Sequence, residues 1–203
     1  MKKFLAVICT LFVISSASAQ EYRWGPTAAF NLSWLRGAKS ANSSDCYLGF
    51  HAGIKAERDF ADLITDGFYL DGKLVYTLKG ASWVGSHHNL GYLEVPINLG
   101  YRVPVSQTVS LMGGLGPYFS LGVLGKQVTD VDGGKFKSDV FGKMFQRFDF
   151  GLNYNLGVEL WNQWQFFVGF EHSLLDIVKS HPSEDLKIKY RPLNLYFGTA
   201  FMF

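Results

Sequence analysis

The chain has 203 residues, 48% of them hydrophobic and 16% aromatic, and a formal net charge of +2. A balance so near neutrality gives no case for nucleic acid as a partner. Past the first twenty residues there is no uninterrupted apolar run of about 18, so helical membrane spans are excluded.

Met1-Lys2-Lys3, an apolar run over residues 4–14 and Ala17-Ser18-Ala19 before Gln20 together predict a secretory signal peptide over residues 1–19. Residues 20–203 would then form one domain. Cys9 lies inside the apolar run with further apolar residues after it, a poor position for a lipid anchor. Cleavage would remove Lys2 and Lys3 and no acid, bringing the 19 basic residues level with the 17 acidic ones. Cys46 would be the only thiol left, which rules out an internal disulfide and suggests an inert, half-buried residue near a strand start.

Beyond the leader the chain alternates between apolar and polar or small residues, the two-residue period of extended strands. The first segment, 24–34, sets Ala28, Phe30, Leu32 and Trp34 against Ala29, Asn31 and Ser33. In 47–56, Leu48, Phe50 and Ile54 oppose His51 and Lys55; in 68–79, Leu70, Leu74, Tyr76 and Leu78 oppose Asp71, Lys73, Thr77 and Lys79. Segment 90–103 puts Leu93, Val95, Ile97 and Leu99 opposite Glu94, Asn98 and Arg102. In 108–124, Leu111, Leu115, Phe119 and Leu121 oppose Ser110, Tyr118 and Ser120, and Gly116-Pro117 suits a bulge or bend. The alternation is cleanest in 148–161, where Phe148, Phe150, Leu152, Tyr154, Leu156 and Val158 face away from Asp149, Asn153, Asn155 and Glu159. Segments 164–174 and 188–203 follow, with Phe166, Val168 and Phe170 opposite Gln165, Glu171 and Ser173, then Leu193, Leu195 and Phe197 opposite Asn194 and Tyr196.

About eight strands of roughly ten residues or more are long enough to cross a bilayer at a tilt. A soluble sandwich or calyx would turn the apolar faces inward; a membrane barrel turns them to lipid. Connection lengths favour the barrel. Those at 36–45, 80–89, 125–146 and 176–187 are long and polar, whereas 104–107 and 161–163 are short, with 57–67 the exception. Such alternation suits outer-membrane barrels, with long extracellular loops and short periplasmic turns. Tyr22, Trp24, Tyr101, Trp161, Trp164, Phe201 and Phe203 would gather at the periplasmic rim as an aromatic girdle. The expected fold is all-β, a closed antiparallel up-and-down transmembrane β-barrel in the outer membrane.

The polar faces then line the lumen and carry charges of both signs: Lys55, Asp71, Lys73, Glu94, Arg102, Asp149, Glu159 and Glu171, together with Lys79. An eight-stranded barrel is only wide enough for side chains to fill it, and desolvated charges need partners. These residues are therefore expected to form an ion-paired plug, with Lys73 opposite Glu94.

Tyr92-Leu93-Glu94-Val95-Pro96, Gly113-Gly114-Leu115-Gly116-Pro117-Tyr118, Asp149-Phe150-Gly151-Leu152, His172-Ser173-Leu174-Leu175-Asp176-Ile177 and the closing 193–203 segment resemble, in order, the PorT-like outer-membrane β-barrel domain family of Bacteroidota. The resemblance implies an outer-membrane barrel without assigned activity in most members, whose namesake belongs to a protein-secretion system.

Motifs for chemistry are weak. His172-Ser173 invites comparison with lipid A deacylases and acyltransferases, but neighbours on a strand point to opposite faces and cannot act as base and nucleophile for each other. In Asp130-Val131-Asp132-Gly133-Gly134 the glycine and terminal acid of a calcium loop are out of register. His87-His88 has no further ligand at usable spacing. No cofactor or metal site is expected, and no enzyme. Two function classes remain: a small interaction barrel with a filled lumen, and a lipid-modifying enzyme or secretion-system accessory. Expected partners are the barrel-assembly machinery, outer-membrane lipid, and lipopolysaccharide. Basic residues near the outer rim, among them Arg36, Lys39, Lys126, Lys135, Lys137, Lys143, Lys179, Lys187 and Lys189, could neutralise lipid phosphates there.

Overall fold

The computed structural model describes residues 22–37, 44–60, 66–83, 86–131, 134–139, 141, 145–178 and 190–203. The expected leader, and the rim lysines 39, 143, 179, 187 and 189, lie outside them. Among the described residues nine strands form: β1 (Tyr22–Gly37), β2 (Tyr47–Asp59), β3 (Phe68–Trp83), β4 (Ser86–Pro104), β5 (Val109–Val131), β6 (Gly134–Asp139), β7 (Phe148–Leu160), β8 (Trp164–Ser173) and β9 (Tyr190–Phe201). Eight of them pair antiparallel around a ring, β1-β2-β3-β4-β5-β7-β8-β9, and β9 returns to β1. Closure leaves no unpaired ladder in lipid, where an unsatisfied backbone amide costs several kcal/mol.

Burial follows the alternation. On β7, Asp149, Asn153, Asn155 and Glu159 are buried, whereas Phe148, Tyr154 and Leu156 are exposed. Exposed apolar side chains cover the outer wall, including Phe30 at 71%, Leu48 at 67% and Leu156 at 67%. In a soluble calyx these would be the buried set; here the exterior is the apolar side and the interior the polar one.

The start of β1, the C-terminal Phe203 and the short turns share one end of the barrel. The Phe203 amide donates to the Trp24 carbonyl, the Met202 amide to Gln163 O, and the Trp24 and Phe203 rings lie 5.4 Å apart. Trp164 and Phe201 stack edge-to-face at 4.9 Å, and Phe68 meets Tyr101 at 4.9 Å. The β7–β8 turn passes through Trp161 and Asn162 in left-handed conformation, with φ of 52° and 57°. That handedness matches the twist of the flanking strands.

Several expectations are corrected. The connections expected at 80–89 and 125–146 are largely strand: β3 and β4 pair out to Trp83↔Ser86, and β5 continues to Val131 and pairs with β6. Beyond the lipid band both faces meet water, so the two-residue hydrophobic signal vanishes while the ladder continues. β2 likewise runs through Asp59, past the expected end at residue 56. Gly116-Pro117 carries no bulge. The ladder to β4 lapses there because proline has no N–H, but the register is unchanged on both sides. The shift falls instead where Gly91 pairs Leu124 and Tyr92 pairs Gly122, leaving Val123 as the extra residue. Cys46 is exposed, not half-buried.

Candidate functional site: a packed lumen

The lumen is filled in layers. Nearest the short turns, Glu57 accepts from Arg23 Nη2 at 2.5 Å, Arg102 Nη2 at 2.8 Å and Lys55 Nζ at 2.7 Å. Glu159 takes Arg23 at 2.9 Å and lies 3.1 Å from Arg102 Nε, a charge contact outside hydrogen-bond geometry. The Gln165 amide nitrogen donates to Glu57 and Glu159 while its oxygen accepts from Lys55 at 2.7 Å. This one neutral side chain ties three charged ones together. Arg102 also reaches Asp59 at the rim, at 2.9 Å.

Above this layer runs a chain of neutral links. Asn98 Nδ2 donates to Asp71 at 2.7 Å, Asn153 Nδ2 to Asn98 at 2.9 Å, and Tyr196 OH to Asn153 at 2.7 Å. Asp71 is also 3.7 Å from Lys55 Nζ, which joins the chain to the layer below. Lys73 takes no carboxylate among the described residues. Its ammonium sits over the Phe167 ring at 4.4 Å and the Tyr196 ring at 5.4 Å, a cation–π arrangement that strengthens away from water. The expected Lys73–Glu94 contact does not form, because β3 and β4 register Val75 opposite Glu94.

Glu94 belongs to the outer layer, where Lys79 Nζ bridges it at 2.6 Å and Glu171 at 2.7 Å. Ser120 donates to Glu94 and Asn194 to Glu171. Asp149 makes no ion pair among the described residues; Tyr118 OH donates to it at 3.0 Å and Ser173 Oγ at 2.5 Å. Among the described residues, three buried cations, Lys55, Lys73 and Lys79, and the half-buried Arg23 and Arg102 thus face six buried carboxylates, Glu57, Asp71, Glu94, Asp149, Glu159 and Glu171. All eight residues singled out from sequence point inward. Arg23, Glu57 and Gln165 were not among them: Arg23 and Glu57 sit at strand ends where alternation fades, and Gln165 carries no charge to mark it.

An apolar cap closes the lumen at the other end. Leu35, Leu90, Tyr92, Phe141, Phe145 and Ile177 are buried together, with Val178 and Tyr190 against them. Phe141 lies where a Cβ on Gly122 or Gly125 would come within 2.5 Å of its ring, so both positions must be glycine for the ring to seat. The Gln146 amide donates to Ile177 O and the Ile177 amide to Tyr190 O, which knits the β6–β7 and β8–β9 connections together.

The described grooves lie outside. One of about 710 Å³ is lined by Leu99, Leu115, Tyr154, Leu156, Val168 and Leu195, all on the apolar wall, where acyl chains would fill it. His172 points outward and Ser173 inward onto Asp149, so the two cannot act on one substrate.

An apolar outer wall, an aromatic end belt and a polar, packed interior define a transmembrane β-barrel of outer-membrane type. The chain belongs to the outer membrane protein beta-barrel domain family, whose model matches residues 5–201. Among solved structures it is similar to Ail, the attachment invasion locus protein of Yersinia pestis, at 17% identity and a TM-score of 0.49, covering 91% of this chain and 100% of that one. Neisserial surface protein A follows at 17% and 0.47, covering 89% and 99%, and OprG from Pseudomonas aeruginosa at 12% and 0.44, covering 90% and 95%. A search of curated protein sequences finds no match.

Proposed function

We propose that this is a non-enzymatic outer-membrane barrel, closed to conduction, which acts through its outer rim and that its PorT-like resemblance reflects the shared barrel. Residues 1–19 are its export signal, the short turns and both ends of the barrel domain face the periplasm, and the capped end faces outward. The observation that carries this reading is the continuity of the filling: ion-paired layers, the Asp71-Asn98-Asn153-Tyr196 chain and the aromatic cap succeed one another along the lumen. Side chains locked by charge-assisted hydrogen bonds at low effective dielectric do not step aside for ions. The separation of His172 from Ser173 supports the absence of a hydrolytic pair. Planar-bilayer recording of refolded protein tests the reading. Baseline current is expected; steady, ion-selective channels would defeat the plug and revive a conduit role.

A further inference from the structure

Arg36 on β1 and Arg191 on β9 are direct cross-strand partners. Their neighbours Leu35 and Tyr190 pack into the inner cap, which places both arginines on the outer wall, where both are exposed. Like charges directly opposite each other in an antiparallel ladder repel. Among the described residues neither arginine makes an ion pair or a hydrogen bond, and Asp45, at the nearby start of β2, pairs with neither. Two arginines thus stand at paired backbone positions on the outer wall, with no anion among the described residues bound to either.

Their height explains which anion would bind there. On the outer wall of β1 the outward positions from Trp24 to Trp34 carry no charge, nor do those of β9 from Phe203 to Leu193. Ten residues at about 3.4 Å each, tilted about 40°, rise about 26 Å, the thickness of a barrel's apolar band. Arg36 and Arg191 are the next outward residues on their strands, one step past Trp34 and Leu193, at the level where lipid headgroups begin. In the sequence, Lys187 and Lys189 continue the same two-residue spacing ahead of Arg191.

We infer that Arg36 and Arg191 form a two-armed clamp for the phosphate of a phosphorylated lipid headgroup in the outer leaflet. Two planar forks side by side can present parallel N–H donors to one phosphate, and a bridging dianion converts their repulsion into attraction. The outer-leaflet assignment rests on the orientation proposed above; binding of lipid phosphate at this rim does not.

Native mass spectrometry of the folded full-length protein with bis-phosphorylated lipid A tests the clamp, with heat-modifiable migration as the folding control. The wild type should retain the lipid, and Arg36→Gln with Arg191→Gln should weaken retention about tenfold or more, as expected for loss of two charge-assisted contacts. The Arg36→Lys, Arg191→Lys protein should fall between, since lysine keeps charge but not the fork, and it carries the test if the glutamine variant fails to fold. Arg58→Gln, which removes a cation over the Tyr22 ring at the opposite end of the barrel, should match the wild type. Enzymatically dephosphorylated lipid A should be lost. Lipid retention by the double variant equal to wild type, or displacement of lipid A by millimolar inorganic phosphate, would overturn the proposal. A tag inserted near Gly133 and reached only after cell lysis would refute the leaflet while leaving the retention result intact.

Discussion

Glu57 shows how much one lumen residue can hold. Its carboxylate accepts from Arg23, Lys55, Arg102 and Gln165, and its side chain is 1% exposed. Glu57→Ala leaves three cations without their shared anion, and loss of about 3 to 5 kcal/mol is expected for removing one partner of a buried pair. Asp59→Ala removes a contact to Arg102 from a side chain that is 34% exposed, where water screens the charge and the loss should stay below about 1 kcal/mol. Urea unfolding in vesicles measures both, and equal losses would mean the lumen is wet at Glu57. Steric fit gives a second case. A Cβ at Gly169 would lie 2.0 Å from the Tyr196 ring, so Gly169→Val should push that ring off Asn153 and cost about 1 to 3 kcal/mol. An unchanged unfolding midpoint would contradict the packing.

At the level of strands, outward positions should reject charge according to depth. Phe30 and Phe197 are direct partners on β1 and β9, well inside the stretch bounded by Trp24 and Trp34. Phe30→Arg or Phe197→Arg should cost about 2 to 4 kcal/mol in a bilayer, the penalty measured for arginine near the midplane of such barrels. Substitution of Lys126, exposed beyond the band, should cost little. Comparable tolerance at both places would place the apolar wall in water. The β5–β6 hairpin offers the reverse experiment. Its ladder from Lys126↔Asp139 to Val131↔Gly134 lies past the point where β5 leaves β7 at Leu121. Replacing residues 128–137 by a tight turn should therefore leave heat-modifiable folding intact.

For the molecule as a whole, the cap and the charged layers are two barriers in series. Phe141→Ala with Phe145→Ala would empty the apolar cluster over the outer mouth, at a cost of a few kcal/mol. Current should nevertheless stay at baseline, because the Lys79 bridge between Glu94 and Glu171 and the Arg23, Lys55 and Arg102 layer remain below it. Channels opening in that variant alone would show that the cap, not the ion-paired filling, closes the lumen. The wild-type barrel should migrate faster unheated than boiled, since a ring closed by β1 and β9 has no edge from which detergent can peel it.

By itself the sequence determined which face of each strand meets lipid, that the strands span a membrane, and which mid-strand charges turn away from the lipid. All three are local: side chains alternate across a strand whatever the strand pairs with, and lipid imposes apolar character on one side. The tertiary structure alone decided who meets whom. Lys79 rather than Lys73 pairs with Glu94, because cross-strand partners depend on register and on which strands face each other across the lumen. Glu57 and Arg23 join the network because β1 and β2 run past the point where alternation fades. The cap is equally invisible along the chain, since Leu35, Tyr92, Phe141 and Ile177 come from four separate stretches whose own neighbours show no shared period. The Arg36–Arg191 pair has the same origin: its two members lie at opposite ends of the chain and meet only when β9 closes on β1. Alternation is a property of one strand, whereas partnership across a barrel is a property of the closed ring.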